Sequence, residues 1–383
     1  MTKPAKPTLS PGELEALRAE FDALRQRVMA EVGSSDAEHI RRVVAWQRRA
    51  EFAGRALLFG SLFPPLWAAG SALLAISKIL DNMEIGHNVL HGQYDFMNDP
   101  ALAARGYEWD WACPSQDWIH AHNYIHHTFT NVVGKDRDVG YGLLRLSEEQ
   151  PWHAGYLLQP FYAIGLMLAF EMGVAVHDLE LNRVLRRERT LREFVQKARP
   201  VLRKALPQIF KDYVAFPALA GPAAPLVFMG NLSANVARNV WAFAIIFCGH
   251  FPDEAQMYCE NEIEGETRGA WYVRQLLGSA NITGSRWLHL FSGHLSHQIE
   301  HHLFPDMPAP RYPEIAAEVE AICRKYGLPY NSAPFVRQFG GALKRIARFT
   351  LPPMSRPELP NSELRRRSAP VLAQADSAAS AGV

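Results

Sequence analysis

The chain has 383 residues, 40 basic against 39 acidic ones for a formal net charge of +1, and a 48% hydrophobic content. That balance, with no basic patch interleaved with aromatics, excludes a nucleic-acid reader. A mean hydropathy of −0.13 is too low for a fully polytopic transporter, whereas the long apolar runs do not suit a soluble enzyme. A membrane-embedded half carrying a large polar cap satisfies both observations.

The N-terminus, Met-Thr-Lys-Pro-Ala-Lys-Pro, lacks the apolar core of a signal peptide, so targeting is expected to come from internal segments. From Gly12 the residues Leu14, Leu17, Phe21, Leu24 and Val28 step by three and four, which predicts an amphipathic helix docked on the cap. Arg41, Arg42, Arg48 and Arg49 precede an apolar run from Phe52 to about Leu80, broken by Pro64-Pro65. The run is long for one span and short for two, since about 20 residues cross a bilayer. A two-helix hairpin with a proline turn is expected, its second helix continuing through polar residues to His87.

Residues 92–155 are rich in Trp, His, Asp and Gly and do not suit a bilayer. The apolar segment Gly155–Val176 contains Glu171, an expensive residue to place against lipid, so it is expected to pack internally or to enter and return. A basic stretch, Arg183–Lys204, follows. Tyr213–Gly230 and Leu232–Gly249 read as a second hairpin turning at Gly230-Asn231. Residues from about Pro352 onward, rich in Pro, Ser, Arg and Ala, read as a disordered tail. The positive-inside rule puts both arginine clusters, and with them every histidine-rich segment, in the cytoplasm.

The four cysteines, Cys113, Cys248, Cys259 and Cys323, are widely spaced, which indicates neither a disulfide framework nor an iron–sulfur site. The histidines carry the chemistry. His87-Asn-Val-Leu-His91, His122-Asn-Tyr-Ile-His126-His127 and His297-Gln-Ile-Glu-His301-His302 repeat one i, i+4 spacing, which stacks two imidazoles on one helix face. A single such pair is ordinary helix surface. Three groups, two ending in His-His and all on one side of the membrane, point to metal ligation, for which neutral imidazole is the commonest side chain. Seven histidines belong to these groups outright, and His297 and His250 raise the number to nine. That is too many for one ion, because a zinc site takes three or four ligands, and it suits two. Asn88 stands where a zinc protease has Glu. An all-nitrogen dinuclear site is consistent with iron, although ligand type alone also admits zinc.

These boxes resemble those of the membrane fatty acid desaturase family. Gln298-Ile-Glu-His301-His302-Leu-Phe-Pro305 is similar to the third box of its acyl-lipid and acyl-CoA branch. Glu84-Ile-Gly-His-Asn-Val-Leu-His-Gly92, Asp136-Arg-Asp-Val-Gly-Tyr-Gly142, Phe210-Lys-Asp-Tyr-Val-Ala-Phe-Pro217 and Phe247-Cys-Gly-His-Phe-Pro252 resemble the mycobacterial-type stearoyl-CoA delta-9 desaturases. The similarity runs from about residue 12 to residue 350. It implies a di-iron centre, dioxygen, and a fatty acyl-CoA or acyl-lipid that gains a cis double bond. By resemblance, His87, His91, His122, His126, His127, His301 and His302 match box ligands, and His250 stands where an extra ligand is found. Gln298 occupies a family position held by His or Gln, so Gln298 and His297 compete for one place. His294 stands where Asn is expected and is read as a residue supporting the ligands. Glu84, Asp136, Asp138 and Glu300 are candidate hydrogen-bond partners of ligating imidazoles. Trp109, Trp111 and Trp118 are candidates to line an acyl channel. The chain has no His-Pro-Gly-Gly haem motif, ferredoxin cysteine spacing or Gly-x-Gly-x-x-Gly after a strand. Two electrons are therefore expected from a separate ferredoxin or NAD(P)H-dependent flavin reductase.

The expectation is an all-α integral membrane protein of the bacterial inner membrane, its active site facing the cytoplasm. About four transmembrane helices in two hairpins, with interfacial helices and a cytosolic cap, hold a di-metal site in one domain, residues 1–351, followed by a tail, 352–383. A hydroxylase of the same superfamily is the nearest alternative. A histidine-rich metal transporter would hold its ligands within the spans, and a bis-histidine haem carrier would need isolated facing histidines rather than His-His pairs.

Overall fold

A computed structural model describes residues 7–353; most of the expected tail lies outside the described residues. The described residues are mostly helical, with one short parallel strand pair among them, Asn281–Thr283 beside Ser332–Pro334. The first helix, Pro11–Ala30, begins at a capping box in which Ser10 accepts from the Glu13 amide and Glu13 accepts from the Ser10 amide, satisfying two orphan donors at once. Its buried face is Leu17, Phe21, Leu24 and Val28. They pack into a cluster with Tyr272, Phe304, Tyr312 and Val319, so the stripe docks on the cap, as its spacing predicts.

The second and third helices, Ser34–Phe59 and Pro64–Ile79, form the expected hairpin, with Pro64 opening the return helix. Small residues let the two backbones meet. A Cβ on Gly54 would stand 2.9 Å from the Leu74 amide nitrogen, and one on Gly70 3.0 Å from the Gly54 carbonyl. The return helix runs on without a break through a π-helical stretch, Leu80–His87, into the first histidine box.

Ala154–Leu168 and Phe170–Asp178 meet at a 103° bend. Buried Glu171, at the bend, is paired with Arg238. The segment therefore turns inward, and the internal packing expected of Glu171 is realised.

The second hairpin differs from expectation. The chain does not turn at Gly230-Asn231, since Ala224–His250 is one unbroken helix. The turn comes earlier, at Gly221 with φ +56°. Gly230 serves packing instead, for a Cβ there would lie 2.5 Å from Leu58 Cδ2. Asn231 is buried, donating to the Asp212 carbonyl at 2.6 Å and accepting from Arg55 at 3.2 Å. Both residue types punctuate turns in a sequence, and here both are consumed by interhelical contact.

Among the described residues, one helix, Gly221–His250, is long and apolar enough to cross a membrane, or two if the bent pair counts as one span. The hairpin helices fall short for simple reasons. Ser34–Phe59 is polar over its first half, and Pro64–Ile79 has only 16 residues before polar sequence begins.

Candidate metal centre

Two boxes are presented by the same local device. Leu80–His87 and Ile119–His126 are both π-helical and flow directly into α-helical turns. Such widened turns concentrate at functional sites. The rings of His87 and His91 lie 4.6 Å apart, and those of His122 and His126 stack at 4.8 Å. The third box is the short helix Gln298–Leu303, where His301 and His302 stand nearly perpendicular, with ring centroids 5.4 Å apart. Its entry turn uses Gly293 and His294 in the left-handed region, at φ +68° and 58°. Glycine is required at 293 because a Cβ would run into the Met83 carbonyl.

Tertiary packing gathers the boxes into two adjoining groups. His87, His91, His122 and His301 form one, and His126, His250 and His302 the other. Within each group the ligand atoms lie within 4.8 Å of one another. His127 bridges them, forming a third set with His301 and His302, and Asp138 joins His122 and His126. Eight of the nine candidate ligands are thus brought together. His297 is not. It packs against His289 at 4.7 Å and contacts Ser296, because the chain reaches the box helix only at Gln298. Gln298 is the one of the two that reaches the cluster, its side-chain amide nitrogen 3.0 Å from His250 Nε2.

The donor set fits metal ions. Ring nitrogens of His91, His122, His126, His127, His250, His301 and His302 are buried with no hydrogen-bond partner. A buried polar atom left unpaired costs about 1–3 kcal/mol, so such a concentration makes sense where the missing partner is a cation. The opposite ring nitrogens are held. His126 Nδ1 donates to both Asp136 oxygens at 3.0 Å, and His122 Nδ1 to Asp138 at 3.2 Å. His302 Nδ1 donates to Gln275 Oε1 at 2.9 Å, His301 Nδ1 to the Tyr312 hydroxyl at 3.3 Å, and His87 Nδ1 to Asn88 at 2.9 Å. This is the arrangement that orients ligating imidazoles. Burial and mutual repulsion push His91, His127, His301 and His302 well below the ordinary imidazole range. Burial alone would lower His126 too, but Asp136 and then Asp138 outweigh it and raise it.

Of the four candidate carboxylate partners, Asp136 and Asp138 touch box histidines. Glu84 and Glu300 do not. Glu84 is shared between His39 at 2.7 Å and His294 at 2.9 Å, so the carboxylate that His294 contacts lies outside the ligand set. Glu300 accepts from Tyr330 at 2.7 Å and Asn281 at 2.8 Å, and burial pushes it up to about 7. Gln275 and Tyr312 escape sequence reasoning, because neutral side chains distant along the chain carry no spacing signal; Asn88 adjoins His87 but is neutral, and only its contact with the ring reveals its part.

A cavity abuts the histidines. Trp109, Trp111, Trp118, Tyr141, Phe170 and Ile246 line it, together with His87, His122, His126 and His250. All three candidate tryptophans therefore face one apolar space that reaches the cluster.

Residues 62–334 match the model of the fatty acid desaturase family. The chain is 43% identical over 348 residues to the NADPH-dependent stearoyl-CoA 9-desaturase of Mycobacterium tuberculosis H37Rv, covering 90% of this chain and 82% of the relative. It is 27% identical over 284 residues to the sn-1 linoleoyl-lipid 6-desaturase of a Synechocystis strain, covering 73% and 79%. It is also 28% identical over 235 residues to human fatty acid desaturase 3, covering 58% and 47%. The chain therefore belongs to the fatty acid desaturase family, in its mycobacterial-type branch, and is a desaturase-type oxidoreductase built around a histidine-rich metal site.

Proposed function

We propose that this enzyme introduces a cis double bond, at the delta-9 position, into a saturated long-chain acyl-CoA, with an acyl-lipid as the alternative carrier. The single observation that carries it is the pair of adjoining imidazole groups, with their buried unpartnered nitrogens, opening onto an aromatic-lined cavity. His87, His91, His122 and His301 would hold one iron and His126, His250 and His302 the other, with His127 and Gln298 as the further side chains at the centre. Iron bound there would supply the oxidising chemistry, with dioxygen and two electrons, that removes hydrogen from an unactivated methylene pair. Two hydrogens leave the chain, and with two protons and two electrons the dioxygen departs as two waters.

The protein's own share is positioning and exclusion of water. Trp109, Trp118, Tyr141 and Phe170 confine the acyl chain, and Asp136, Asp138, Gln275 and Tyr312 fix the rings. The catalytic domain is residues 1–351, with about four spans in two hairpins in the bacterial inner membrane and the metal centre on the cytoplasmic face. Electrons come from a separate ferredoxin or NAD(P)H-dependent flavin reductase; the name of the mycobacterial relative, an NADPH-dependent desaturase, supports only NADPH as their source. Desaturation by the purified protein with NADPH alone would refute the separate donor.

The test is expression in a host of defined lipid composition, with mass spectrometry locating any new double bond and metal analysis of the purified protein. A delta-9 product and bound iron are expected, and His301→Ala should abolish the product while membrane insertion persists. Products that were only hydroxylated would overturn the assignment.

A further inference from the structure

A second cavity, of about 330 Å³, lies behind the aromatic one. Lys78, Asp110, Glu171, Gln208, Asp212 and Arg238 line it, with Leu168, Met172 and Val236 among the apolar wall. Ionised side chains inside a membrane bundle are costly and mark function, yet none of these touches the metal centre. The two spaces are back to back. Trp111 and Phe170 face the aromatic cavity, while Glu171 and Arg238, directly behind them, face the polar one.

Arg238 forms the partition. It is 1% exposed, and its guanidinium lies 5.1 Å from the centre of the Trp111 ring, a cation–π contact. It is clamped by Glu171 and donates to the Asp110 carbonyl at 3.4 Å, the residue before Trp111. Its Nε has no partner and, like the unpartnered Gln208 Oε1, belongs to a side chain lining the polar space. Along the helix, Arg238 stands twelve residues before His250, about 18 Å at 1.5 Å per residue. On the function proposed above, the polar acyl carrier stays at the His250 end and the methyl end of the chain points toward this wall.

Taking the acyl substrate proposed above as occupant of the aromatic cavity, we propose that the Arg238–Glu171 clamp, by holding Trp111 across the end of that cavity, sets the longest acyl chain the enzyme accepts. Arg238 is a positioning residue and Trp111 the contacting one. Loss of the clamp lets the indole move into the space behind it and lengthens the apolar channel.

The test expresses full-length wild type, Arg238→Lys, the charge-neutral double variant Arg238→Gln/Glu171→Gln, and Trp111→Leu in a host fed saturated acids of graded length. Monounsaturated product of each length is measured relative to protein and bound metal. The double variant and Trp111→Leu should raise turnover of chains two carbons beyond the wild-type limit by about tenfold relative to the wild-type optimum, the low end of what one methylene is worth in an apolar pocket. Arg238→Lys should keep the wild-type preference. Unchanged length preference in Trp111→Leu and the double variant at normal metal content would overturn the proposal. If the double variant fails to accumulate, Trp111→Leu decides alone. Absence of any double bond from wild type would instead sink the desaturase function itself.

Discussion

Asp136 offers the sharpest test of how the centre is held. Its carboxylate is buried and accepts four times: from His126 Nδ1 on both oxygens at 3.0 Å, from the Asn131 amide at 2.8 Å and from the Asp138 amide at 2.9 Å. In Asp136→Asn one acceptor oxygen becomes an amide NH2, itself a donor, so one buried N–H loses its partner at a cost of about 1–3 kcal/mol. The orienting bond to His126 also weakens. Loss of such a partner typically lowers metal affinity about 10–100-fold, or about 1.4–2.8 kcal/mol. Asp136→Ala removes every acceptor and strands two backbone donors, costing about 2–6 kcal/mol, a large part of a typical domain's stability. The assay is metal-to-protein stoichiometry after equilibration against graded chelator, run beside a thermal melt. His120→Ala, exposed and stacked on Tyr124 just outside the second box, should match wild type. An Asp136→Asn protein that binds metal with wild-type affinity would refute the orienting role.

Three further outcomes are expected. His297→Ala should retain metal and product, whereas Gln298→Ala should reduce both, because only Gln298 reaches His250; the reverse ranking would restore His297 to the centre. Gly293→Ala forces a side chain onto a φ of +68° and into the Met83 carbonyl, so a loss of at least about 1–3 kcal/mol should appear in thermal melts, with the third box displaced and metal lost. Asn281→Ala removes the side chain that donates to Glu300 at 2.8 Å and accepts from the Ile299 amide at 2.9 Å. It should lower stability by about 1–3 kcal/mol and loosen metal retention; an unchanged melt would show these side-chain bonds to be dispensable.

The chemistry was legible in the chain because ligand spacing is local. An i, i+4 pair faces one way in any helical turn, so His87/His91 and His122/His126 declare themselves before any fold is known, as does the stripe from Leu17 to Val28. The first hairpin is equally local, marked by Pro64-Pro65 within an apolar run. What tertiary packing alone decided is which residue meets which. Gly230-Asn231 has the composition of a turn, but Leu58 and Asp212 pack against it and the helix runs through. His297 precedes the box helix by one residue and faces His289, so Gln298 reaches His250. Four acids had equal claims as partners of the ligands, and only Asp136 and Asp138 fold back onto them. Gln275, Tyr312 and the Arg238–Trp111 partition depend on elements far apart in sequence, where composition holds no distance information. The local pattern determined which side chains the site draws on; long-range contacts determined how they are assembled.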